Sequence, residues 1–173
     1  VMQQHYSPLD KINRSNVSEL GFAWEYDARN TIGRIPKGLE ATPIVVDGIM
    51  FTSGAWGFVY ALDAKTGKEL WKYDPKVDAT YLRRACCDAV NRGVAVRMGK
   101  VYSDTLDGYL VCLDANNGAE IWRKDTFTDR TKAYTITSPP QVAGSIVMIG
   151  NSGGEYGVRG YITAYDLQSG EQK

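Results

Sequence analysis

The sequence predicts an all-β protein made of β-propeller blades, each a sheet of four antiparallel strands. The first observation is an internal repeat, in which Asp63, Asp114 and Asp166 follow one another at intervals of 51 and 52 residues. The repeated segments cover residues 61–71, 112–122 and 164–173. A period near fifty residues is typical of propellers and solenoids. The second observation is that short alternating or β-branched runs fill each repeat, which favours strands grouped in blades.

The repeated turn follows the pattern A-x-D-x-x-x-G-x-x-x-W. Its aspartate can accept backbone N–H bonds in a tight turn, and Gly67, Gly118 and Gly170 can supply the positive φ that such turns often need. Trp71 and Trp122 stand at the eleventh position of the pattern. We expect each of these tryptophans to pack across the outer edge of a blade.

The strands can be assigned in chain order. Asp47-Gly48 stands between two apolar runs and is a strong hairpin signal. The strands predicted for the first blade cover residues 43–46, 49–52, 58–62 and 70–73. Those predicted for the second blade cover residues 94–96, 101–103, 109–113 and 121–123. Those predicted for the third blade cover residues 141–143, 146–149 and 161–165.

The two ends of the sequence lead to further expectations. Residues 10–20 are the only candidate for a short helix, and residues 22–26 resemble the fourth strand of a blade that lacks its first three strands. In a closed ring, such a strand would complete the last blade. The third repeat stops before its tryptophan position, and three blades cannot close a ring without exposing strand edges. We therefore expect the rest of the propeller to be a partner of these residues.

Composition limits the classes of partner. The chain has 173 residues, with 20 lysines and arginines against 20 acids, so that the formal net charge is zero. This balance does not indicate a nucleic-acid or membrane-surface partner. No apolar run approaches the roughly 18 residues of a membrane span. We expect no nucleic-acid partner and no transmembrane segment.

Two adjacent cysteines, Cys86 and Cys87, are the least ordinary feature of the sequence. Disulfides usually join residues whose Cα atoms are about 4.4–6.8 Å apart, whereas consecutive Cα atoms are about 3.8 Å apart. A bond between them would close a strained ring with a rigid, flat, apolar surface. The alternative is a pair of unlinked buried thiols, since free cysteine is among the most buried residue types. The third cysteine, Cys112, is expected to be a small core residue.

Three features of the sequence carry a family resemblance: the repeats, the run Cys86-Cys87-Asp88-x-x-Asn91-Arg92-Gly93, and the segment Asn-Ser-Gly-Gly-Glu at 151–155. Together they strongly resemble the quinoprotein alcohol dehydrogenases. These are periplasmic eight-bladed propellers that use pyrroloquinoline quinone (PQQ) and a metal ion, usually calcium. The resemblance implies that residues 1–173 are the N-terminal part of one propeller domain in a catalytic subunit of the methanol or ethanol dehydrogenase type. It also implies a periplasmic location, which would suit an oxidised cysteine pair.

The resemblance implies cofactor-binding roles for a first group of residues. Cys86 and Cys87 resemble a disulfide that packs on one face of the quinone ring. Arg92 resembles an arginine near the quinone carbonyls, where its charge can stabilise a negative oxygen. Glu40 resembles a glutamate at the edge of the cofactor, and Thr137 resembles a cofactor-binding threonine. Taken one at a time, the alternatives are a solvated loop carboxylate for Glu40, a surface cation for Arg92 and an ordinary strand residue for Thr137.

A second group of implied site residues follows the third blade's second predicted strand. Ser152, Gly153 and Gly154 resemble a loop whose backbone donors bind cofactor carboxylates, where small residues allow close approach. Glu155 resembles a metal ligand, and its carboxylate suits a hard cation such as Ca²⁺. A lanthanide is an alternative to calcium. A plain turn and a solvated carboxylate are the alternatives for the loop and the glutamate.

The remaining parts of such a site are expected outside this chain. The family's catalytic aspartate and its other metal ligands lie in later blades, so no catalytic residue is assigned here. The resemblance implies a small alcohol substrate and a cytochrome c electron acceptor, with a haem c domain as an option in the complete protein but not in this chain. We expect residues 1–173 alone to be inactive. The alternative function is a non-catalytic PQQ-type propeller scaffold, although a scaffold has no reason to carry Cys86-Cys87, Arg92 and Glu155 together.

Overall fold

Three antiparallel sheets, joined in sequence, make up the structure, which is a computed structural model that describes residues 8–28 and 38–173. Blade 1 contains β1 (Ile44–Val46), β2 (Ile49–Ser53), β3 (Val59–Asp63) and β4 (Glu69–Tyr73). Blade 2 contains β5 (Ala95–Arg97), β6 (Lys100–Asp104), β7 (Tyr109–Asp114) and β8 (Glu120–Asp125). Blade 3 contains β9 (Gln141–Ala143), β10 (Ile146–Gly150) and β11 (Ile162–Asp166). The predicted all-β class and the four-stranded antiparallel blades are confirmed.

The strands of each blade pair in chain order, so that the first strand of each blade is an edge strand. The predicted hairpin between β1 and β2 is present: Val46 pairs with Ile49, and Asp47 and Gly48 both have positive φ, at 49° and 80°. In blade 3, an isolated bridge between Tyr165 and Gln172 lies beside β11, where the other blades have a fourth strand.

Helical structure within residues 8–28 and 38–173 is limited to short 3-10 turns. The helix expected within residues 10–20 is reduced to one such turn at Val17–Glu19. Residues 22–26, which resemble the fourth strand of a blade whose other strands are expected outside this chain, pair with no strand among the described residues, and that strand stays a prediction. No helix in the described part of the chain is long and apolar enough to cross a membrane.

The repeated aspartates organise the turns as predicted. The carboxylate of Asp63 accepts hydrogen bonds from the backbone N–H groups of Lys65 and Thr66, at 3.1 and 2.7 Å. The Thr66 hydroxyl also donates to this carboxylate at 2.7 Å, and that bond, followed by the backbone bonds, lowers the pKa of Asp63. Asp166 makes the same contacts with the N–H groups of Gln168 and Ser169. Each repeat therefore ends in the same turn.

Each repeated turn is the docking point for a tryptophan from the preceding segment. The Trp71 indole donates from Nε1 to the carbonyl oxygen of Ala115 at 3.0 Å. Its ring lies so close to Gly118 that an added Cβ would meet the ring at 2.6 Å. Trp24 docks in the same way on the first repeat, with Nε1 3.2 Å from the carbonyl oxygen of Ala64. Residues 22–26 thus contribute a docking tryptophan, as the fourth strands β4 and β8 do with Trp71 and Trp122.

The core lies between the blades. One cluster packs the face of blade 1 that carries Phe51 and Val59 against Val101 and Val111 of blade 2. A second cluster includes Tyr102 and Leu110 from the other face of blade 2 and Val147 and Ile149 of blade 3. Cys112 is fully buried in that second cluster with a free thiol, as predicted. This packing holds the first strands of the three blades side by side.

Candidate functional site

The segment before β5 carries the cysteine pair. A disulfide joins Cys86 to Cys87, whose Cα atoms are 3.8 Å apart. Both residues are exposed, and their exposure together with the bond rules out the alternative of two unlinked buried thiols. The chain therefore presents a short, rigid disulfide on its surface, at the start of the segment that also contains Arg92.

Contacts on both sides fasten this disulfide loop. The preceding 3-10 turn, Ala79–Arg84, is capped by Asp78, whose side chain accepts from the backbone N–H of Thr80 at 2.9 Å. Arg84 then donates from Nη1 to the carbonyl oxygens of Arg130 and Lys132, at 3.0 and 2.9 Å. On the other side, the carbonyl oxygen of Ala89 accepts from the backbone N–H of Trp56 at 2.8 Å.

The structure brings three of the predicted cofactor residues into direct contact. Arg92 forms an ion pair with Glu40, with Nη2 2.9 Å from Oε2. The same guanidinium donates from Nη1 to the Thr137 side-chain hydroxyl at 2.6 Å and to its carbonyl oxygen at 3.3 Å. The side chains of Arg92 and Glu40 are 39% and 41% exposed, so the charge of Arg92 faces solvent.

The positions of Glu40, Arg92 and Thr137 have a common origin in the repeat. Each lies three or four residues before the first strand of its blade, β1, β5 or β9. They are separated by 52 and 45 residues, which is close to the repeat period. Because equivalent points of neighbouring blades lie side by side, this spacing is a signal that could have predicted their contact from sequence.

Asn91 is a residue to which the sequence reasoning gave no role. It is only 3% exposed, and its Oδ1 accepts from the Ser53 hydroxyl and from the backbone N–H of Gly93. Its Nδ2 donates to the carbonyl oxygen of Asp104 at 3.1 Å. A buried amide that is hydrogen-bonded at both its oxygen and its nitrogen is costly to disturb, so Asn91 anchors the segment that carries Arg92.

Asp104 is a buried acid behind the same segment. It is fully buried, and neither carboxylate oxygen has a hydrogen-bond partner among the described residues. Burial raises the pKa of Asp104 to about 8, although the amide of Asn91 and the charge of Arg92 act in the opposite direction. A carboxyl group in such a place is held as the neutral acid at neutral pH.

Residues 152–155 are linked to this group through the segment that contains Thr137. Ser152 and Thr135 form an antiparallel bridge, in which the N–H of Ser152 donates to the carbonyl oxygen of Thr135 at 2.7 Å. The N–H of Ser152 is therefore already used. Gly153 has φ of 123°, and a Cβ there would clash with the carbonyl oxygen of Ala133, so the fold itself requires this glycine. A Cβ at Gly154 would meet nothing within 4 Å, which leaves space there for a ligand.

Glu155 lies in an exposed 3-10 turn, Gly154–Tyr156. Among residues 8–28 and 38–173, no group of three His, Cys, Asp or Glu residues could hold a metal ion. Glu155 is thus a single carboxylate of the type that hard cations prefer. Its role as a metal ligand stays a prediction, as do the cofactor contacts of the other site residues.

Comparison with known proteins places the whole chain in one family. The sequence profile described as the PQQ glucose/ethanol/alcohol dehydrogenase β-propeller domain matches residues 1–173. A quinohemoprotein alcohol dehydrogenase from Comamonas testosteroni is 50% identical over 171 residues, which cover 99% of this chain and 23% of the relative. The chain therefore spans about a quarter of the length of the curated relatives it matches.

Two solved structures are similar in fold as well as in sequence. The quinohemoprotein alcohol dehydrogenase ADHIIG from Pseudomonas putida HK5 matches with a TM-score of 0.92 and 52% identity, covering 98% of this chain and 24% of that one. A europium-containing methanol dehydrogenase matches with a TM-score of 0.85 and 42% identity, covering 96% of this chain and 28% of that one.

Proposed function

This chain belongs to the PQQ glucose/ethanol/alcohol dehydrogenase β-propeller family, and from that premise we propose that it forms one wall of the cofactor pocket of a PQQ-dependent alcohol dehydrogenase. The reaction would oxidise a small alcohol to an aldehyde with PQQ and a metal ion. The observation that carries the proposal is the exposed Cys86–Cys87 disulfide in the same segment as Arg92, whose guanidinium is held between Glu40 and Thr137.

The residues present fit such a cofactor. PQQ is a planar anionic quinone, and a rigid exposed disulfide offers a flat apolar surface for a planar ring. Arg92 offers a fixed positive charge that is still partly open to solvent and to a ligand. Thr137 offers a hydroxyl at the same place. An arginine with a fixed planar fork is well suited to carboxylates and to developing negative oxygens.

PQQ, when bound, supplies the two-electron acceptor that no amino-acid side chain can provide. The chain's own residues would orient the cofactor and polarise its oxygen atoms. Glu40 and Thr137 hold the Arg92 guanidinium from two sides, which restricts the directions in which its remaining N–H groups can point. The positive charge of Arg92 then favours negative charge on a neighbouring oxygen. Cys86 and Cys87 contribute shape and exclude water from one face of the ring.

The metal ion is the second component of the proposal. Glu155 supplies one hard carboxylate ligand, which suits Ca²⁺ or a lanthanide. A relative of known structure is a europium-containing methanol dehydrogenase, which supports the lanthanide alternative. The other ligands and the catalytic aspartate are expected outside this chain, so residues 1–173 supply no catalytic residue and are proposed to be inactive alone.

The relatives and the disulfide support an electron acceptor and a cellular compartment for the enzyme. Several are quinohemoproteins, which supports electron transfer to a cytochrome c or to a haem c domain in the same polypeptide. An exposed disulfide favours an oxidising compartment, and we propose the periplasm. No feature of the described residues favours the non-catalytic scaffold over the enzyme.

Reconstitution of the natural protein, expressed from its whole gene, tests this function. Purified apoprotein is supplied with PQQ, with Ca²⁺ or La³⁺, or with both, and alcohol-dependent reduction of a dye is recorded. We expect activity only when PQQ and a metal ion are both present, and none from residues 1–173 alone. Alcohol oxidation that does not depend on PQQ, or a whole protein that binds no PQQ, would contradict the proposal and favour a scaffold.

A further inference from the structure

Arg92 cannot be held in place by its side-chain ion pair alone. Both Arg92 and Glu40 are about two-fifths exposed, and exposed ion pairs are screened by water and contribute little to a fixed geometry. A pocket that depends on the direction of one guanidinium needs a firmer support than this pair. Thr137 supplies one such support at the guanidinium, and a second acts on the backbone from which the side chain starts.

The backbone on either side of Arg92 is fixed by buried hydrogen bonds. Asn91, immediately before it, bonds through its side chain to Ser53 on β2 and to the carbonyl oxygen of Asp104 on β6. The same side chain accepts from the N–H of Gly93, immediately after Arg92. The carbonyl oxygen of Arg92 itself accepts from the N–H of Thr42 at 3.3 Å. Two blades therefore meet at residues 91–93.

This arrangement is difficult to displace because Asn91 is buried and uses both ends of its amide. Displacement of Asn91 would break its bonds to Ser53 and to the carbonyl oxygen of Asp104, which lie inside the protein where no water replaces them. The side chain of Arg92, by contrast, leaves this buried support and reaches the partly exposed contacts with Glu40 and Thr137.

We propose that Asn91 is a positioning residue for the cofactor pocket, which acts by fixing the backbone of Arg92 between blades 1 and 2. This inference rests on the proposed function, since it assigns Asn91 a part in binding PQQ through Arg92. Asn91 itself is buried behind the pocket and touches no cofactor. Its effect on PQQ affinity therefore depends on the presence of the arginine side chain.

A double-mutant cycle on the natural full-length protein tests this dependence. The variants are Asn91→Ala, Arg92→Ala and the combination, and the readout is the dissociation constant of PQQ, measured by equilibrium titration of the apoprotein. We expect Asn91→Ala to weaken PQQ binding by about tenfold, because a displaced Arg92 guanidinium would lose part of its charged hydrogen bonding to the cofactor. In the Arg92→Ala background the same change should alter the dissociation constant by less than about twofold.

A second variant removes one bond and leaves Asn91 in place. Ser53→Ala deletes the hydroxyl that donates to Asn91 Oδ1, and we expect PQQ binding several-fold weaker with Arg92 present and unchanged without it. The matched control is Thr126→Val, which removes a buried hydrogen bond from Oγ1 to the carbonyl oxygen of Gly108, in the turn between β6 and β7 of blade 2. It should lower stability without changing PQQ affinity.

The outcomes separate the inference from the function on which it rests. Effects of Asn91→Ala and Arg92→Ala that multiply in the combined variant would overturn the inference, because they would show a general structural role. Thr126→Val weakening PQQ binding as much as Asn91→Ala, at equal loss of stability, would overturn it as well. A wild-type protein that binds no PQQ would instead overturn the proposed function and this inference with it.

Discussion

The outer rim of the blades and their inner face are built by opposite means. At the outer rim, one contact is repeated, in which a tryptophan lies on the glycine of the next turn. The three pairs are Trp24 on Gly67, Trp71 on Gly118 and Trp122 on Gly170. At the inner face, by which we mean the disulfide, Glu40, Arg92 and Thr137, each residue occurs once. The repeated contact joins blades, and the single residues are available to a ligand.

Burial differs most between Trp71 of the rim and Arg92 of the inner face, while Trp24 and Trp122 are half-buried. Trp71 is 8% exposed, whereas the side chain of Arg92 is 39% exposed. Removal of a buried indole leaves a cavity, while removal of a partly exposed guanidinium leaves water. Stability should therefore depend on the rim and ligand binding on the inner face. The predictions below test this division, from the largest expected effect to the smallest.

The largest effect is expected at the rim. Trp71→Ala should lower the free energy of unfolding by about 3–5 kcal/mol, because the substitution removes a large buried ring and leaves a cavity. Urea denaturation of the natural protein measures the change. Arg92→Ala is the inner-face control and should change stability by less than about 1 kcal/mol. If Trp71→Ala and Arg92→Ala lowered the free energy of unfolding equally, stability would not depend more on the rim than on the inner face.

Asp104 is the place behind the inner face where stability should depend on pH. Burial raises its pKa from 3.8 to about 8, so between these values the folded protein keeps a proton that the unfolded chain releases. Stability must then fall as pH rises through this window. Asp104→Asn should remove that fall and stabilise the protein at pH 8 by a few kcal/mol, since each unit of pKa shift corresponds to about 1.4 kcal/mol of unfolding free energy.

The measurement for Asp104 is the free energy of unfolding at pH 5 and pH 8 in both proteins. Asp129→Asn is the control, because hydrogen bonds from Thr131 lower the pKa of Asp129 instead. This control should keep the wild-type decline between the two pH values. An Asp104→Asn variant with the same decline would show that Asp104 is not the group responsible.

Metal binding should change without a change in stability. Glu155→Gln keeps the size of an exposed side chain and removes its charge, so it should weaken Ca²⁺ or La³⁺ binding by at least about tenfold. Isothermal titration of the natural apoprotein measures the affinity. Glu171→Gln, in the exposed turn of the third repeat, should bind the metal as the wild type does. Wild-type metal affinity in Glu155→Gln would exclude Glu155 as a ligand.

The smallest expected effect is a difference in stability between substitutions of two rim tryptophans, Trp71 and Trp122. Trp71 Nε1 donates to the carbonyl oxygen of Ala115, whereas Trp122 Nε1 has no partner within the described residues. The carbonyl oxygen at the equivalent place, that of Leu167, accepts from the Tyr102 hydroxyl at 3.0 Å. Trp71→Phe should therefore cost about 1 kcal/mol more than Trp122→Phe in urea denaturation. Equal costs would show that the indole bond adds nothing.

The same division explains how much of the fold could be predicted. Strands within the repeat were placed to within a residue or two, as for β7, predicted at 109–113 and found at Tyr109–Asp114. Their signal is local alternation, reinforced by repetition. Residues 22–26 were predicted as a strand from the same local signal. A strand forms only beside a partner, and the three strands expected to accompany this segment are not among the described residues.

The sequence predicted which residues belong to the candidate site, but only some of the contacts between them. The spacing of Cys86 and Cys87 left a bond and two free thiols as alternatives, because adjacency fixes their distance but not their surroundings. The residues around Arg92 were assigned through resemblance to a family. The bonds of Asn91 and the burial of Asp104 could not be predicted, since they depend on how two blades come together.

The most direct test of the division is one titration with PQQ, carried out on apoprotein of the wild type, Trp71→Phe and Arg92→Ala. The account predicts that the rim variant binds PQQ as the wild type does, although it is less stable. It predicts that the inner-face variant binds PQQ roughly tenfold to a hundredfold more weakly, as loss of a charged hydrogen-bonding group would imply. Unchanged affinity in Arg92→Ala, or an equal loss in Trp71→Phe, would contradict the account.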